Sequence, residues 1–218
     1  MDVKILYEDK AILLCIKPAG VVSEEGGMPE LLRDAARARD IYCVHRLDKA
    51  AAGLMVYAKT RESAAALSSV IASGGLEKEY LAVIQGAAEA EGSMRDLLYH
   101  DASKNKTYVV KRQRRGVREA ELSYQTLAQS EALSLVRIRL MTGRSHQIRV
   151  QFASRKLPLV GDRKYGSRYR DCPMALWSER LSFRHPITGE LLDYRVSPPD
   201  VWPWNAFDIE KEPCLCDT

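Results

Sequence analysis

The chain has 218 residues, 46% of them hydrophobic and 28% charged, with a formal net charge of +4. That length holds one large domain or two small ones with an ordinary soluble core, and no run approaches the roughly 20 apolar residues of a membrane-spanning helix. Asp2, Glu8 and Asp9 stand where a secretion signal carries positive charge, so the expectation is a cytoplasmic protein with no membrane partner.

In chain order, "AILLCIKP" (11–18) is an apolar run ended by Pro-Ala-Gly, a buried strand entering a turn. "PELLRDAARAR" (29–39) starts on a proline suited to a first helical position and keeps Leu31, Leu32, Ala35 and Ala36 on one side. "GLMVYAKT" (53–60) reads as a strand, and Thr60 then caps a helix over "RESAAALSSVIAS". "KEYLAVIQG" (78–86) reads as a strand. "NKTYVVKR" and "EAELSYQTLAQ" read as two more, flanking a turn around Arg114–Gly116. "ALSLVRIRLM" (132–141) alternates as a half-buried strand does. "SHQIRVQFASRK" (145–156) shifts to helical period, with Ser145 as its expected cap. "RLSFRHPITGELLDYRV" reads as a closing hairpin. Many strands with few short helices indicate an α+β domain.

Charge is unevenly spread. Lys104, Lys106, Lys111, Arg112, Arg114, Arg115 and Arg118 fall in one stretch without an acidic residue. The block reads equally as a phosphate-neutralising surface or as a solvated hairpin tip. Cys15, Cys43 and Cys172 are isolated and read as free thiols. The Cys214/Cys216 pair has no second Cys/His pair at zinc spacing, so no metal is expected.

Three clusters carry candidate chemistry. "HRLDKAAAGL" (45–54) crowds His45, Arg46 and Asp48 ahead of a featureless apolar segment. Asp48 reads either as a structural partner of Arg46 or as an ionised carboxylate for covalent or general-base work. In "TGRSHQIRVQ" (142–151), Arg149 lies among apolar neighbours, and a buried arginine needs a carboxylate; Asp48 is the candidate, with a solvent-facing Arg149 as the alternative. In "EKEYLAVIQG", Tyr80 opens a strand as a core residue or as a ring able to stack on a base.

Taken in order, these stretches resemble the RluA-type pseudouridine synthases, which isomerise uridines in structured RNA. "HRLDKAAAGLMVYAKT", "LEKEYLAVIQG" and "LMTGRSHQIRVQFASRKLPLVGDRKYG" match the family's aspartate, tyrosine and arginine motifs. "LYEDKAILLCIKPAGVVS" and "ALWSERLSFRHPITGE" resemble its opening and closing strands, so the likeness runs over roughly residues 5–197. It implies a mixed, mostly antiparallel sheet with flanking helices and a basic RNA-binding cleft. It makes Asp48 the catalytic aspartate, Tyr80 the ring on the uracil and Arg149 the partner of Asp48. Arg46 helps displace the target nucleotide, with His45, Arg144, His146 and Leu176 as further substrate contacts. Lys104, Lys106, Lys111, Arg112, Arg114, Arg115, Arg163 and Lys164 meet the RNA backbone.

The resemblance further implies no cofactor and no metal, an RNA partner (rRNA or tRNA) and a monomer. One catalytic domain over 1–207, without the family's N-terminal RNA-binding domain, and an acidic tail over 208–218 are expected. Ala51 and Ala52 replace the family's usual Thr-Ser, Gln151 replaces a frequent histidine, and "LWS" (176–178) replaces "LHA". These departures keep a second reading in view, a catalytically silent RNA-binding or RNA-folding protein on the same fold. A hydrolase using Asp48 with His45 or His146 lacks a positioned nucleophile.

Overall fold

The structure is a computed structural model that describes residues 3–209. The tail expected over 208–218 lies, from residue 210 on, outside the described residues, as do Cys214 and Cys216. Eleven strands and three α-helices follow one another among the described residues: β1 (Ile5–Glu8), β2 (Ile12–Lys17), α1 (Met28–Ala36), β3 (Tyr42–Cys43), β4 (Ala52–Ala58), α2 (Arg61–Ala72), β5 (Glu77–Gln85), β6 (Glu91–Asp101), β7 (Lys106–Val110), β8 (Val117–Gln129), β9 (Leu133–Leu140), α3 (Gln147–Ser154), β10 (Leu176–Arg184) and β11 (Leu191–Arg195). The α+β class and the mostly antiparallel pairing agree with the sequence reading. The chain divides into two compact units: residues up to Lys78 with Trp177–Pro198, and Glu79–Leu176 with Pro199–Ile209.

In the first unit, β2 lies antiparallel to both β1 and β4. One end of β4 takes β10 as a parallel neighbour, with Trp177 opposite Ala52 and Ser178 opposite Gly53. The other end takes β3. Ile12, Leu14, Val56, Ala58, Leu67, Phe183 and Leu192 form a shared core, the physical reason "AILLCIKP" and "GLMVYA" read as continuous apolar runs. Thr60 caps α2 as expected: its hydroxyl accepts from the Ser63 amide at 3.1 Å, and Ser63 Oγ accepts from the Thr60 amide at 3.2 Å. At Gly53, φ is +115°, and a Cβ would fall 2.4 Å from the Ser178 carbonyl oxygen and 2.5 Å from its nitrogen. Only glycine permits β4 to lie this close to β10.

In the second unit the strands run β5-β9-β8-β6-β7, all antiparallel. The core between α3 and the strands holds Leu98, Ala120 and Val150, and the Tyr124 and Phe152 rings meet at 5.3 Å. Gln151, the departure from the family's histidine, donates to the Asp96 carboxylate at 2.7 Å and to the Met94 carbonyl at 3.2 Å, tying α3 to β6. Ser145 does not cap α3. His146 occupies that position with φ of 55°, and its side chain makes no capping hydrogen bond. The helix starts one residue later than its period suggests, because Gln147 turns its side-chain oxygen back to accept from the Arg144 amide at 3.0 Å and the Thr142 hydroxyl at 2.8 Å. The Ser145 carbonyl is used instead by the Thr107 hydroxyl, at 2.8 Å.

Candidate active site

Asp48 sits half-buried in the loop between β3 and β4, in the first unit. The loop is held from both sides. Ser23 Oγ donates to the Leu47 carbonyl at 2.9 Å and accepts from its amide at 3.0 Å. Lys17, fully buried at the end of β2, sends its ammonium to the carbonyls of Pro18 (2.9 Å), Val21 (2.7 Å) and Lys49 (3.4 Å). Lys17 thereby fastens the loop one residue beyond Asp48. Burial lowers the Lys17 pKa to about 8, and the negative charge of Asp48 opposes that shift. The candidate carboxylate thus helps Lys17 keep its charge inside this unit. The reading from sequence missed Lys17, although a lysine closing an apolar run ("ILLCIKP") was a visible signal.

Arg46 is exposed and pairs with Glu24 at 2.6 Å, not with Asp48. Both side chains are at least half exposed, so this pair contributes only about 0–1 kcal/mol and leaves Arg46 easily redirected to another anion. His45 faces inward at 7% exposure. Its Nε2 accepts from the Val56 amide at 3.1 Å, and its Nδ1 has no hydrogen-bond partner among the described residues. Burial first, and the Lys78 charge second, hold its pKa well below the usual histidine value.

That has a measurable consequence. The folded protein keeps His45 neutral, whereas the unfolded chain takes up a proton near pH 6.5. The folded pKa is the lower one, so this stability is fully present above about pH 6.5 and is lost as pH falls. We expect urea unfolding to show a loss approaching 1.4 kcal/mol per unit between about pH 6 and about pH 5. His45→Gln should flatten that slope. An identical slope in the variant would remove His45 as its source.

In the second unit Tyr80 lies on β5 opposite Ile138 of β9 and is 5% exposed. Arg149 projects from α3 and is buried, as its apolar neighbours suggested. Its Nε donates to Asp162 at 2.7 Å and its Nη2 to the other Asp162 oxygen at 2.9 Å. The two side chains are only 7% and 1% exposed. The guanidinium also lies over the Tyr165 ring at 5.0 Å. Tyr165 is itself pinned: its hydroxyl accepts from the Thr107 amide (2.8 Å), donates to the Thr107 carbonyl (3.1 Å) and lies 3.0 Å from His146 Nδ1.

Asp162 and Tyr165 were both missed from sequence, though both stand in the quoted "VGDRKYG". A carboxylate 13 positions from Arg149 carries no periodic signal. Burial, countered in part by hydrogen bonds with Thr107 and the Arg149 charge, raises the Tyr165 pKa.

Of the remaining candidates, His146 and Lys106 gather at Tyr165 and Lys164 reaches the β6–β7 turn. Arg144 is exposed, its Nε donating to the Glu119 carbonyl at 3.0 Å. Leu176 is buried at the start of β10. Lys104 lies in the β6–β7 turn, and Lys106 on β7 sits over the Tyr108 and Tyr165 rings at 5.7 and 5.4 Å. Lys111, Arg112, Arg114 and Arg115 form the exposed β7–β8 turn, with Arg114 over the Tyr99 ring at 4.7 Å. Lys164 donates to the Asn105 carbonyl at 2.6 Å, while Arg163 donates to the Arg170 carbonyl at 2.8 Å. A cavity of about 370 Å³ in the first unit, lined in part by Pro29, Ile41, Tyr42 and Ala64, holds none of these residues.

Comparison with known proteins now bears on this geometry. The family model described as RNA pseudouridylate synthase matches residues 11–154. The chain is 34% identical over 226 residues to a ribosomal large subunit pseudouridine synthase D of Xanthomonas campestris pv. campestris, covering 91% of this chain and 66% of that protein. It is 26% identical to a tRNA pseudouridine synthase C of Vibrio parahaemolyticus, covering 97% of this chain and 98% of the other. Human RNA pseudouridylate synthase domain containing 1 superposes with a TM-score of 0.79 at 21% identity, over 92% of this chain and 85% of that one. The chain therefore spans about two thirds of the length of the first of these relatives and nearly all of the second.

Proposed function

The chain belongs to the RNA pseudouridylate synthase family, and from that membership we propose that it isomerises uridines in structured RNA, with Asp48 as its essential carboxylate. What carries the reading is the family match through residues 11–154, within which "HRLD", "KEY" and "GRSHQIR" stand intact.

In the reaction the N1–C1′ bond of uridine breaks, the uracil turns, a C5–C1′ bond forms, the proton on C5 leaves and N1 takes one up. Asp48 attacks either the base or the sugar, and both routes require it ionised. Tyr80 packs on the uracil and assists the proton transfer at C5. Arg149 keeps a negative charge favoured where the reaction needs it. The target base is stacked in RNA, so it must be extruded at a cost of a few kcal/mol. Arg46 is suited to that step because its present partner, Glu24, holds it weakly. Contacts from Lys104, Lys106 and the β7–β8 turn to phosphates offset the cost. The protein works without metal or cofactor, as a cytoplasmic monomer; no described helix is long and apolar enough to cross a membrane.

Ribosomal RNA and tRNA are both candidate substrates, since relatives of each description match. Pseudouridine-specific chemical mapping of RNA from cells with and without this protein decides. One or more modified positions should vanish from rRNA or tRNA in its absence and return with the wild-type gene. A second reading, a catalytically silent RNA binder, is favoured by Ala51 and Ala52, which carry no hydroxyls beside the Asp48 loop. Unchanged maps in both RNA classes would support that reading.

A further inference from the structure

Of the three tryptophans, Trp177 and Trp204 are buried at 7% exposure, whereas Trp202 is 42% exposed and its neighbour Val201 53%. A single exposed apolar side chain is ordinary, but adjoining exposed ones mark a surface that contacts something. Trp202 stands beside Tyr169, ring centroids 5.3 Å apart at 59°. Both belong to the second unit.

The Tyr169 loop is rigidly built. Ser167, 2% exposed, accepts through Oγ from the amides of Tyr169 (3.2 Å) and Gly161 (3.1 Å) and from Gln85 Nε2 (3.0 Å). The same hydroxyl donates to the Tyr169 carbonyl at 2.9 Å. The Arg163 side chain closes the loop by donating from Nε to the Arg170 carbonyl at 2.8 Å. In the segment that carries Tyr169, Arg163, Lys164, Arg168 and Arg170 are all exposed, while its acids are Asp171 and Asp162, the latter already paired with Arg149. On the other strand of the chain Asp200 precedes Val201.

We propose that Trp202 and Tyr169 form a second RNA contact, a stacking platform for one unpaired base whose flanking phosphates are met by Arg168 and Arg170. The proposal takes its class of ligand from the synthase reading above. Aromatic faces among cations are the chemistry that holds single-stranded nucleic acid without regard to sequence. An anchored Tyr169 loop gives up little freedom on binding, so the stacking energy is not spent on ordering the loop. RNA rather than a protein is favoured because an apolar protein surface would leave the four cations unmatched.

The test uses the full chain and a ten-nucleotide oligouridylate, followed by tryptophan emission and by filter binding. Saturable quenching of the exposed indole is expected. Trp202→Phe should bind as wild type without that quenching, Trp202→Ala should bind roughly tenfold more weakly, and an abasic oligomer should quench little. Arg168→Gln/Arg170→Gln should reduce the slope of log affinity against log salt by about 1.4. Near-ultraviolet circular dichroism reports whether each variant stays folded. Emission unchanged at saturation, or Trp202→Ala binding as tightly as wild type, would overturn the platform. Pseudouridine formed by wild type alongside that result would leave the synthase reading standing. Quenching without any pseudouridine formed in rRNA or tRNA would instead support the platform and overturn the synthase reading.

Discussion

Replacing Asp48 by asparagine is expected to lower pseudouridine formation by on the order of a thousandfold or more, while affinity for RNA changes less than about threefold. The amide matches the carboxylate in shape, so the loop held by Ser23 and Lys17 keeps its anchors, which are made to backbone carbonyls and an amide. What is lost is the charge and with it the nucleophile or base. Removing a negative charge does not weaken attraction for a polyanion, so binding and turnover separate cleanly. Proton release from C5-labelled uridine in RNA measures the turnover, and filter binding measures the affinity. Activity within tenfold of wild type would sink the assignment of Asp48. Lys17 offers an internal control: with the Asp48 charge gone, burial is less strongly opposed and should push the Lys17 pKa below about 8.

Asp162→Ala is expected to be the most damaging single change to stability, costing about 3 kcal/mol and lowering the melting temperature by about 6–12 °C. Asp162 satisfies two donors of a guanidinium that is itself out of water, and its removal leaves a buried charge without its bidentate carboxylate. The Tyr165 ring cannot replace it, since a cation–π contact contributes only about 0.5–2 kcal/mol. The double change Arg149→Met/Asp162→Leu removes both charges and should recover most of the lost stability without recovering activity. Differential scanning calorimetry distinguishes the cases. A melting temperature for Asp162→Ala within about 2 °C of wild type would show that the pair does not hold α3 as argued.

Much of this architecture was legible. Uniform apolar runs marked β2 and β4 because both are covered on both faces, and Thr60 announced α2 because a hydroxyl at that position bonds the first free amides. β6 was invisible. Its eleven residues, "EGSMRDLLYHD", bury only Met94 and Leu98 fully, so neither alternation nor a continuous run survives, and its place is set by pairing with β7 and β8. The candidate site divides along the same line. Asp48, Tyr80 and Arg149 were singled out as candidates because the motifs that resemble the family contain them. Lys17, Asp162 and Tyr165 act through contacts across the fold that no spacing reports. The inward turn of His45 was equally hidden, since its partner, the Val56 amide, is a backbone group common to every residue.

The parallel neighbour of β4 has a consequence in time. A ribosome delivers the Asp48 loop and β4 long before it delivers residues 176–184, and the Ala52–Gly53 end of β4 has no strand on that edge until they emerge. The strand neighbours of β6 to β9, by contrast, all lie within one continuous stretch, β5 to β9, that ends at Leu140. Strands β6 to β9 therefore complete their pairing before the segment bearing Asp48, the candidate carboxylate, does. A chain released early, after Arg149 but before Ser178, carries Asp48, Tyr80 and Arg149 and yet lacks the backbone against which Gly53 closes.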